Sequence, residues 1–442
     1  MSEDQADPSS ADDSADRPNF YDVMHERGLV AQCTDENIRA RLAGPVTLYC
    51  GFDPTADSLH VGSLVPIMGL AHAQRCGHTP LVLVGGATGL VGDPSGKTEA
   101  RQMLTPETIR HHVACQAAQI GRVVTMGNGS AGPSTDASSD GRSDARVVNN
   151  LDWIAPLTWI QVLRDIGSKI SVNRMVSMES VKQRMSGDGE GISYLEFSYM
   201  LLQAYDFAHL FKTEGCTLQI GGQDQWGNIV MGIELGRKLH DADLAGLTFP
   251  LITKSDGGKF GKSESGAVWL DADRTRPFDF FQFWRNVPDA DVGRYLGYFT
   301  FLPMDEVRAL AAADGSAINQ SKIRLAYEVT KLIHGEAEAS RARDAAAGAF
   351  SAAADVTGDA IPSMALNADE FEKGFSLKFA LVQAGFADSN GKARKLIEGG
   401  GVRLHDEKVT DPNRQITLDD VRDGYVLVRA GKKRLFRFDA RD

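Results

Sequence analysis

Short apolar runs that alternate with amphipathic helical periods constrain this chain more than any other feature. Residues 46–52 (Val-Thr-Leu-Tyr-Cys-Gly-Phe) read as a buried strand, and about Gly62 to Gln74 as a helix. Pro80 to Val84 gives a second strand, followed by the glycine-rich run GGATGLVGDPSGK. A helix over about Pro106 to Val124 comes next. Beyond it lie a helix at Ser193–Lys212, a strand at Thr217–Ile220, a helix near Gln223–Lys238 and a strand at Leu247–Thr253. Strands alternating with helices are joined by crossovers, which makes a parallel, doubly wound sheet of the α/β class. Ligands bind such sheets outside the carboxyl ends of the strands, where the loops richest in Gly, His and Lys fall here.

Around that core the organisation is uneven. Residues 1–18 are acidic and small, the opposite of a basic targeting segment, and read as a disordered tail. Residues 19–265 form the α/β domain, interrupted at 127–144 by GNGSAGPSTDASSDGRSD, from which no core can be built. Residues 266–351 read as a helical domain, and 352–370, with Gly358 and Pro362, as a linker centred on Asp355–Asn367. A compact α+β module then occupies 371–442. Net charge is −12 for the whole chain. Residues 376–442 nevertheless hold 14 Lys+Arg against 10 Asp+Glu, the remainder 33 against 49, so the two parts differ in sign. No window approaches a membrane span. The five cysteines are far apart and form no CxxC pair, which fits a reducing cytoplasm.

Two segments carry the chemistry. In Pro54-Thr-Ala-Asp-Ser-Leu-His-Val-Gly-Ser63, which joins the first strand to its helix, a helix N-terminus offers unpaired N–H groups to a polyphosphate. His60 and Thr55 add donors, and Gly62 permits close backbone approach. Ordinary helix capping is the alternative. In Lys259-Phe-Gly-Lys-Ser263, two lysines three apart in a glycine-flanked loop make a cationic clamp suited to phosphoryl or nucleotidyl transfer. A solvated surface loop is the alternative there.

The pair HVGS and KFGKS resembles the two signature motifs of class I aminoacyl-tRNA synthetases. YCGFDPTADSLHVG, LVGGATGLVGDPSGK, EFSYMLLQAYDF and LQIGGQDQWGN resemble the bacterial tyrosyl family in particular, from about Phe20 to the C-terminus. The resemblance implies a Rossmann-like catalytic sheet that activates tyrosine with ATP and transfers it to tRNA. Tyrosine differs from phenylalanine by one hydroxyl, and a site built to bond it leaves buried groups unpaired when phenylalanine binds, a rule of which tyrosine-activating enzymes are themselves a standing example. By resemblance the phenol is held by Tyr49 and Asp206, and the α-amino group by Asp93, Tyr199 and Gln203. Tyr199, Gln203 and Asp206 fall at i, i+4 and i+7 of one helix, hence on one face. A buried polar network is the alternative for that pattern.

Thr88 and Asn150 resemble second contacts around the amino acid, and Gln225 a group facing its carboxylate. Around the nucleotide the resemblance implies Cys50, Gly51, Asp53, Thr55, His60, Gly62, Ser63, Gly222, Asp224 (on a ribose hydroxyl), Lys259, Lys262 and Ser263. Thr55, His60, Lys259 and Lys262 are the implied catalytic groups. Lys97 and Arg101 match positions near pyrophosphate or the tRNA acceptor end. Where the family motif has a second histidine this chain has Ser63, whose hydroxyl reaches less far than imidazole. ATP is a substrate bringing its own Mg²⁺, and neither a tightly bound cofactor nor a dedicated metal site is expected.

Residues 381–404 resemble a small RNA-binding fold shared with a ribosomal small-subunit protein. Lys392, Arg394 and Lys395 cluster at a helix start and Arg403 follows on a strand, a set suited to structured RNA. Expected partners are tRNA for tyrosine, L-tyrosine, ATP and, by resemblance, a second copy of the chain. The competing readings are a tryptophanyl enzyme, against which the Tyr49/Asp206 pair argues, and a non-catalytic RNA-binding descendant, against which the intact lysines argue.

Overall fold

The computed structural model describes residues 17–94, 104–127, 143–186, 191–253, 255, 260–263, 266–348, 361–405, 407–431 and 434–441. Lys97, Arg101, Lys259 and the core of the 127–144 insertion lie outside the described residues, as do the side chains of Lys262 and Ser263. By internal contacts the chain divides into two compact units, Met1–Arg274 with Pro288–Ile318, and Thr275–Val287 with Asn319–Asp442.

The first unit is built on a six-stranded sheet. Its strands are β1 (Gln32–Cys33), β2 (Thr47–Phe52), β3 (Thr79–Val84), β4 (Arg146–Asn149), β5 (Cys216–Gly222) and β6 (Ala245–Phe249), in the order β1-β6-β5-β2-β3-β4. β2 to β6 are mutually parallel, with Tyr49 opposite Leu81 on one side and Gln219 on the other. β1 adds an antiparallel edge. Every residue of β6, and all of β3 after Thr79, is buried, as expected of strands covered on both faces. From β2 the chain winds outward through β3 and β4, then returns to β5 and winds the other way. The switch point therefore lies between β2 and β5, where such sheets open a crevice.

Local chemistry explains the helices that flank it. Ser193 and Glu196 form a reciprocal capping box that starts the Tyr194–Glu214 helix, and Gly215, at φ 62°, ends it in the left-handed region that suits glycine. Thr105 caps the Pro106–Ile120 helix, with proline in its first turn. The Leu64–Arg75 helix is buried along almost its whole length behind the sheet.

Several expectations shift. The strand expected to reach Thr253 stops at Phe249, because Pro250 has no N–H to continue the ladder. The helix expected from Gln223 begins at Trp226, after a 3-10 turn at Gln223–Gln225.

In the second unit, the helices Pro277–Arg285 and Glu336–Gly348 pack together, and Phe280 sets its ring edge to face against His334 at 4.9 Å. The C-terminal part is a five-stranded sheet with the helices Leu377–Gln383 and Asn390–Glu398, around a core that includes Phe371, Leu381, Ile397, Val428 and Phe438. Ser363–Asn367, inside the segment read as linker, is a strand of this sheet, parallel to Arg434–Arg441. Its Met-Ala-Leu alternation is too short to stand out in the sequence.

Candidate active site

A cavity of about 770 Å³ opens at the switch point, lined by the carboxyl ends of β2 and β5, the segment 53–63, and the Tyr194–Glu214 helix. At its inner end Tyr49 is 1% exposed, its ring edge against Phe207 at 5.3 Å and its buried hydroxyl without a protein partner. Burial holds that phenol far above its ordinary range, with the charge of Asp206 adding to the effect, so it stays a neutral donor. Asp206 is equally buried. Trp153 Nε1 donates to its Oδ1 at 2.8 Å and Asn150 Nδ2 to its Oδ2 at 3.0 Å. Burial pushes the Asp206 carboxyl up to about 7, the two donors and the nearby Asp53 modulating that.

Beside this pair, Tyr199 donates to Asp53 Oδ2 at 2.9 Å, and Thr88 Oγ1 to Asp53 Oδ1 at 2.8 Å. Asn150 Nδ2 reaches Thr88 Oγ1 at 3.1 Å, while its Oδ1 accepts from the Ala87 amide at 2.7 Å. Asn150 is thus wholly buried and does not line the cavity. It holds Thr88 and Asp206 in place. Gln203 lines the wall with a buried Oε1 that has no protein partner, an acceptor suited to an ammonium. Asp93 lines it too and accepts from Gln225 Nε2 at 2.7 Å; that amide also reaches Asp224 Oδ2 at 3.2 Å.

The outer end is shaped for a nucleotide. Gly62 N donates to His60 Nδ1 at 3.0 Å, so in the neutral ring Nε2 carries the proton and is the donor. A Cβ at Gly62 would stand 2.7 Å from His60 Cε1. The close approach that requires glycine here is therefore made by the motif's own histidine. Ser63 lines the cavity at the start of the Leu64–Arg75 helix without capping it. Thr55, Gly51 and Gly222 line it as well, and a Cβ at Gly222 would collide with the Asp224 carboxylate. The Cys50 thiol is buried there and pushed by burial up to about 12, so it stays protonated.

The two signature segments meet through one residue. Val61 N donates to Val268 O at 3.0 Å, and Val268 N to Gly261 O at 2.9 Å. Gly261, at φ 79°, would with a Cβ approach Val61 Cγ2 to 3.2 Å. Phe260, between the two lysines, stacks on Phe299 at 5.7 Å and 6°. From behind, the Pro106–Ile120 helix holds the 53–59 segment: His112 Nδ1 to Pro54 O at 2.9 Å, Gln116 Nε2 to Ala56 O at 3.0 Å, and the Leu59 amide to Gln119 Oε1 at 2.8 Å.

The sequence reading missed Trp153, Gln219 and Trp269. Gln219 and Trp269 line the cavity, and the Gln219 Oε1 is buried without a partner. A glutamine inside the apolar strand Leu-Gln-Ile was a legible signal; the two tryptophans carried none.

The family described as tRNA synthetases class I (W and Y) matches residues 41–351, and the tyrosine–tRNA ligase SYY-like C-terminal domain matches 354–438. The tyrosine–tRNA ligase of Clostridium kluyveri is 44% identical over 417 residues, covering 94% of this chain and 98% of the relative. The chain belongs to the bacterial tyrosyl-tRNA synthetase family. The tyrosine–tRNA ligase of Desulfosudis oleivorans is 45% identical over 438 residues, 94% of this chain and 98% of the relative. Among solved structures, the C-terminally truncated mitochondrial tyrosyl-tRNA synthetase of Aspergillus nidulans superposes with TM-score 0.65 at 31% identity, covering 76% of this chain and 95% of that one.

The four basic residues expected to meet RNA, Lys392, Arg394, Lys395 and Arg403, are all exposed. Lys392 pairs with Asp388, and Arg394 with Glu398 at 2.7 Å. Both are i,i+4 surface pairs, which cost little to open. Lys395 is exposed on the same helix, and Arg403 on the strand Val402–Leu404.

Proposed function

We propose that the cavity carries out both halves of tyrosine–tRNA ligation, with its inner end reading the phenol and its outer end holding ATP. The observation that carries this reading is the pairing of Tyr49 and Asp206: two buried polar groups at the closed end of the cavity, one lacking any partner and the other fixed by two donors. Tyrosine's hydroxyl completes both, whereas phenylalanine leaves them unpaired. Gln203, Asp93 and the Asp53–Tyr199 pair receive the ammonium group, which fixes the carboxylate toward the nucleotide.

In the first step a carboxylate oxygen of tyrosine attacks the α-phosphorus of ATP in line. The new O–P bond forms as the bond to pyrophosphate breaks. The nucleophile is already ionised, so no general base is needed. Catalysis is orientation and charge neutralisation: His60 Nε2–H donates to phosphate oxygens, while Lys259 and Lys262 neutralise the leaving pyrophosphate. Thr55, Ser63 and Ser263 add hydroxyl donors, and ATP brings Mg²⁺ with it. Asp224 takes the ribose, and Gln225 orients Asp93 and the carboxylate. In the second step a terminal ribose hydroxyl of tRNA attacks the mixed anhydride, giving the tyrosyl ester and AMP. Lys97 and Arg101 near the acceptor end, and Lys392, Arg394, Lys395 and Arg403 on the C-terminal module, bind the tRNA backbone.

The functional unit is a homodimer. Trp159, Ile160 and Tyr194 expose 60%, 67% and 64% of their surfaces, and Trp159 and Tyr194 lie edge to face at 6.4 Å, an apolar patch that a second copy would cover. The enzyme works in the cytoplasm, which suits five unpaired cysteines. No helix among the described residues is long and apolar enough to cross a membrane.

The test is a single-turnover chase. Protein mixed with Mg-ATP and labelled tyrosine should retain labelled adenylate through gel filtration and pass the label to tRNA when tRNA is added. Retention of adenylate without transfer would remove the second half of the proposal, and no retained label would remove both.

A further inference from the structure

The phenol-reading carboxylate is held from outside the cavity by a short relay of rings. Trp153 sits on the four-residue helix Leu151–Ile154, which is too short to fix a large side chain through its own ladder. Its indole N–H nevertheless points at Asp206 Oδ1, 2.8 Å away. Against the indole lies the imidazole of His209, with centroids 4.6 Å apart and planes 15° from parallel. His209 follows Asp206 by three residues on the Tyr194–Glu214 helix, so both project from one face. On its own helix His209 also meets Tyr205, at 6.0 Å. His209 does not line the cavity and no step of the reaction uses it.

We infer that His209 is a positioning residue for the choice of tyrosine over phenylalanine: stacked on Trp153, it keeps the indole N–H on Asp206. This inference rests on the reading of Asp206 as the group that recognises the phenol. An indole freed from the stack has other rotamers open to it, and each of them withdraws one of the two donors on a buried carboxylate. A buried carboxylate with fewer donors binds a proton more readily, and a protonated acid, with one oxygen turned donor, accepts the substrate hydroxyl more weakly. The groups acting on Asp206 are Tyr49, Tyr199, Tyr205, Asn150, Trp153 and the Asp53 carboxylate. Those acting on His209 are Glu214, Lys212 and His240, beside Tyr205 and Trp153. Burial, the largest of these influences, lowers the imidazole pKa, so above neutral pH His209 acts as a flat uncharged ring.

Pyrophosphate exchange by the full chain, with tyrosine and phenylalanine measured in parallel across pH, tests this. In His209→Ala the ratio of kcat/KM for tyrosine to that for phenylalanine should fall about tenfold, the effect of loosening one charged hydrogen bond. The loss should come from a raised KM for tyrosine with kcat little changed, and the acid limb of kcat/KM should move to higher pH. His209→Phe, which restores a flat ring, should recover the ratio. An Ala variant with the parent ratio and limb would overturn the inference, as would a Phe variant as impaired as Ala. Trp153→Phe and Asp206→Asn locate the fault. If both leave the ratio unchanged, the reading of Asp206 fails and takes the inference with it. If both lower it while His209→Ala does not, the role of His209 alone falls.

Discussion

Asp206 is the residue on which selectivity and pH dependence meet. Its carboxyl is pushed by burial up to about 7, and on the proposed reading it accepts the substrate hydroxyl best when ionised. Below that value the protonated form dominates and the acceptor is weakened. Above it the carboxylate is complete. We therefore predict that kcat/KM for tyrosine rises as pH climbs through about 7, while phenylalanine, lacking the hydroxyl, shows no such limb. A profile for tyrosine that is flat from about pH 6 to about pH 8 would contradict the assignment. In the proposed mechanism Lys262 makes the opposite kind of contribution, acting on charge that appears only as pyrophosphate leaves. Lys262→Ala should lower kcat for adenylate formation by about 10²-fold or more with the KM for tyrosine nearly unchanged. Rapid-quench kinetics separates the two, and an effect confined to KM would exclude the clamp role. Ser63 lines the same cavity as Thr55 and His60.

Among the elements, the sheet and its flanking helices were legible in the sequence because parallel strands buried on both faces read as unbroken apolar runs, as in β3 and β6. The Tyr194–Glu214 helix announced itself through the Ser193/Glu196 box and Gly215. What escaped was short or held by tertiary contact alone: the two-residue edge β1, the strand Ser363–Asn367, and the four-residue helix that delivers Trp153. In the site, the face carrying Tyr199, Gln203 and Asp206 followed from spacing. The hub at Asp53, which takes both Tyr199 and Thr88, did not, because it joins residues 35 and 146 positions apart. The burial of Asn150 beneath Thr88 and Asp206 was not legible either, since burial is not readable from one asparagine. The insertion yields an element-scale prediction. Its flanks are already joined, Gly127 N donating to Ala145 O and Ala145 N to Thr125 O at 2.9 Å each. Deleting 128–142 with a short glycine bridge should leave tyrosine-dependent exchange within about twofold, and a large loss would place the insertion in the site.

Across the whole molecule the charge is divided between an acidic body and a basic C-terminal segment, which suits the proposed division of labour between chemistry and RNA binding. Lys395→Glu in that segment should weaken tRNA charging, with a smaller salt dependence, and leave exchange unaltered. Equal loss of both activities would mean that the substitution had damaged the fold instead. The catalytic unit makes the stronger claim, that one cavity activates tyrosine and recognises it by its hydroxyl. Pyrophosphate exchange with the purified full chain, offered tyrosine, phenylalanine and tryptophan separately, tests that claim most directly. The account predicts rapid exchange with tyrosine and almost none with the other two; comparable exchange with phenylalanine, or none with any of the three, would contradict it.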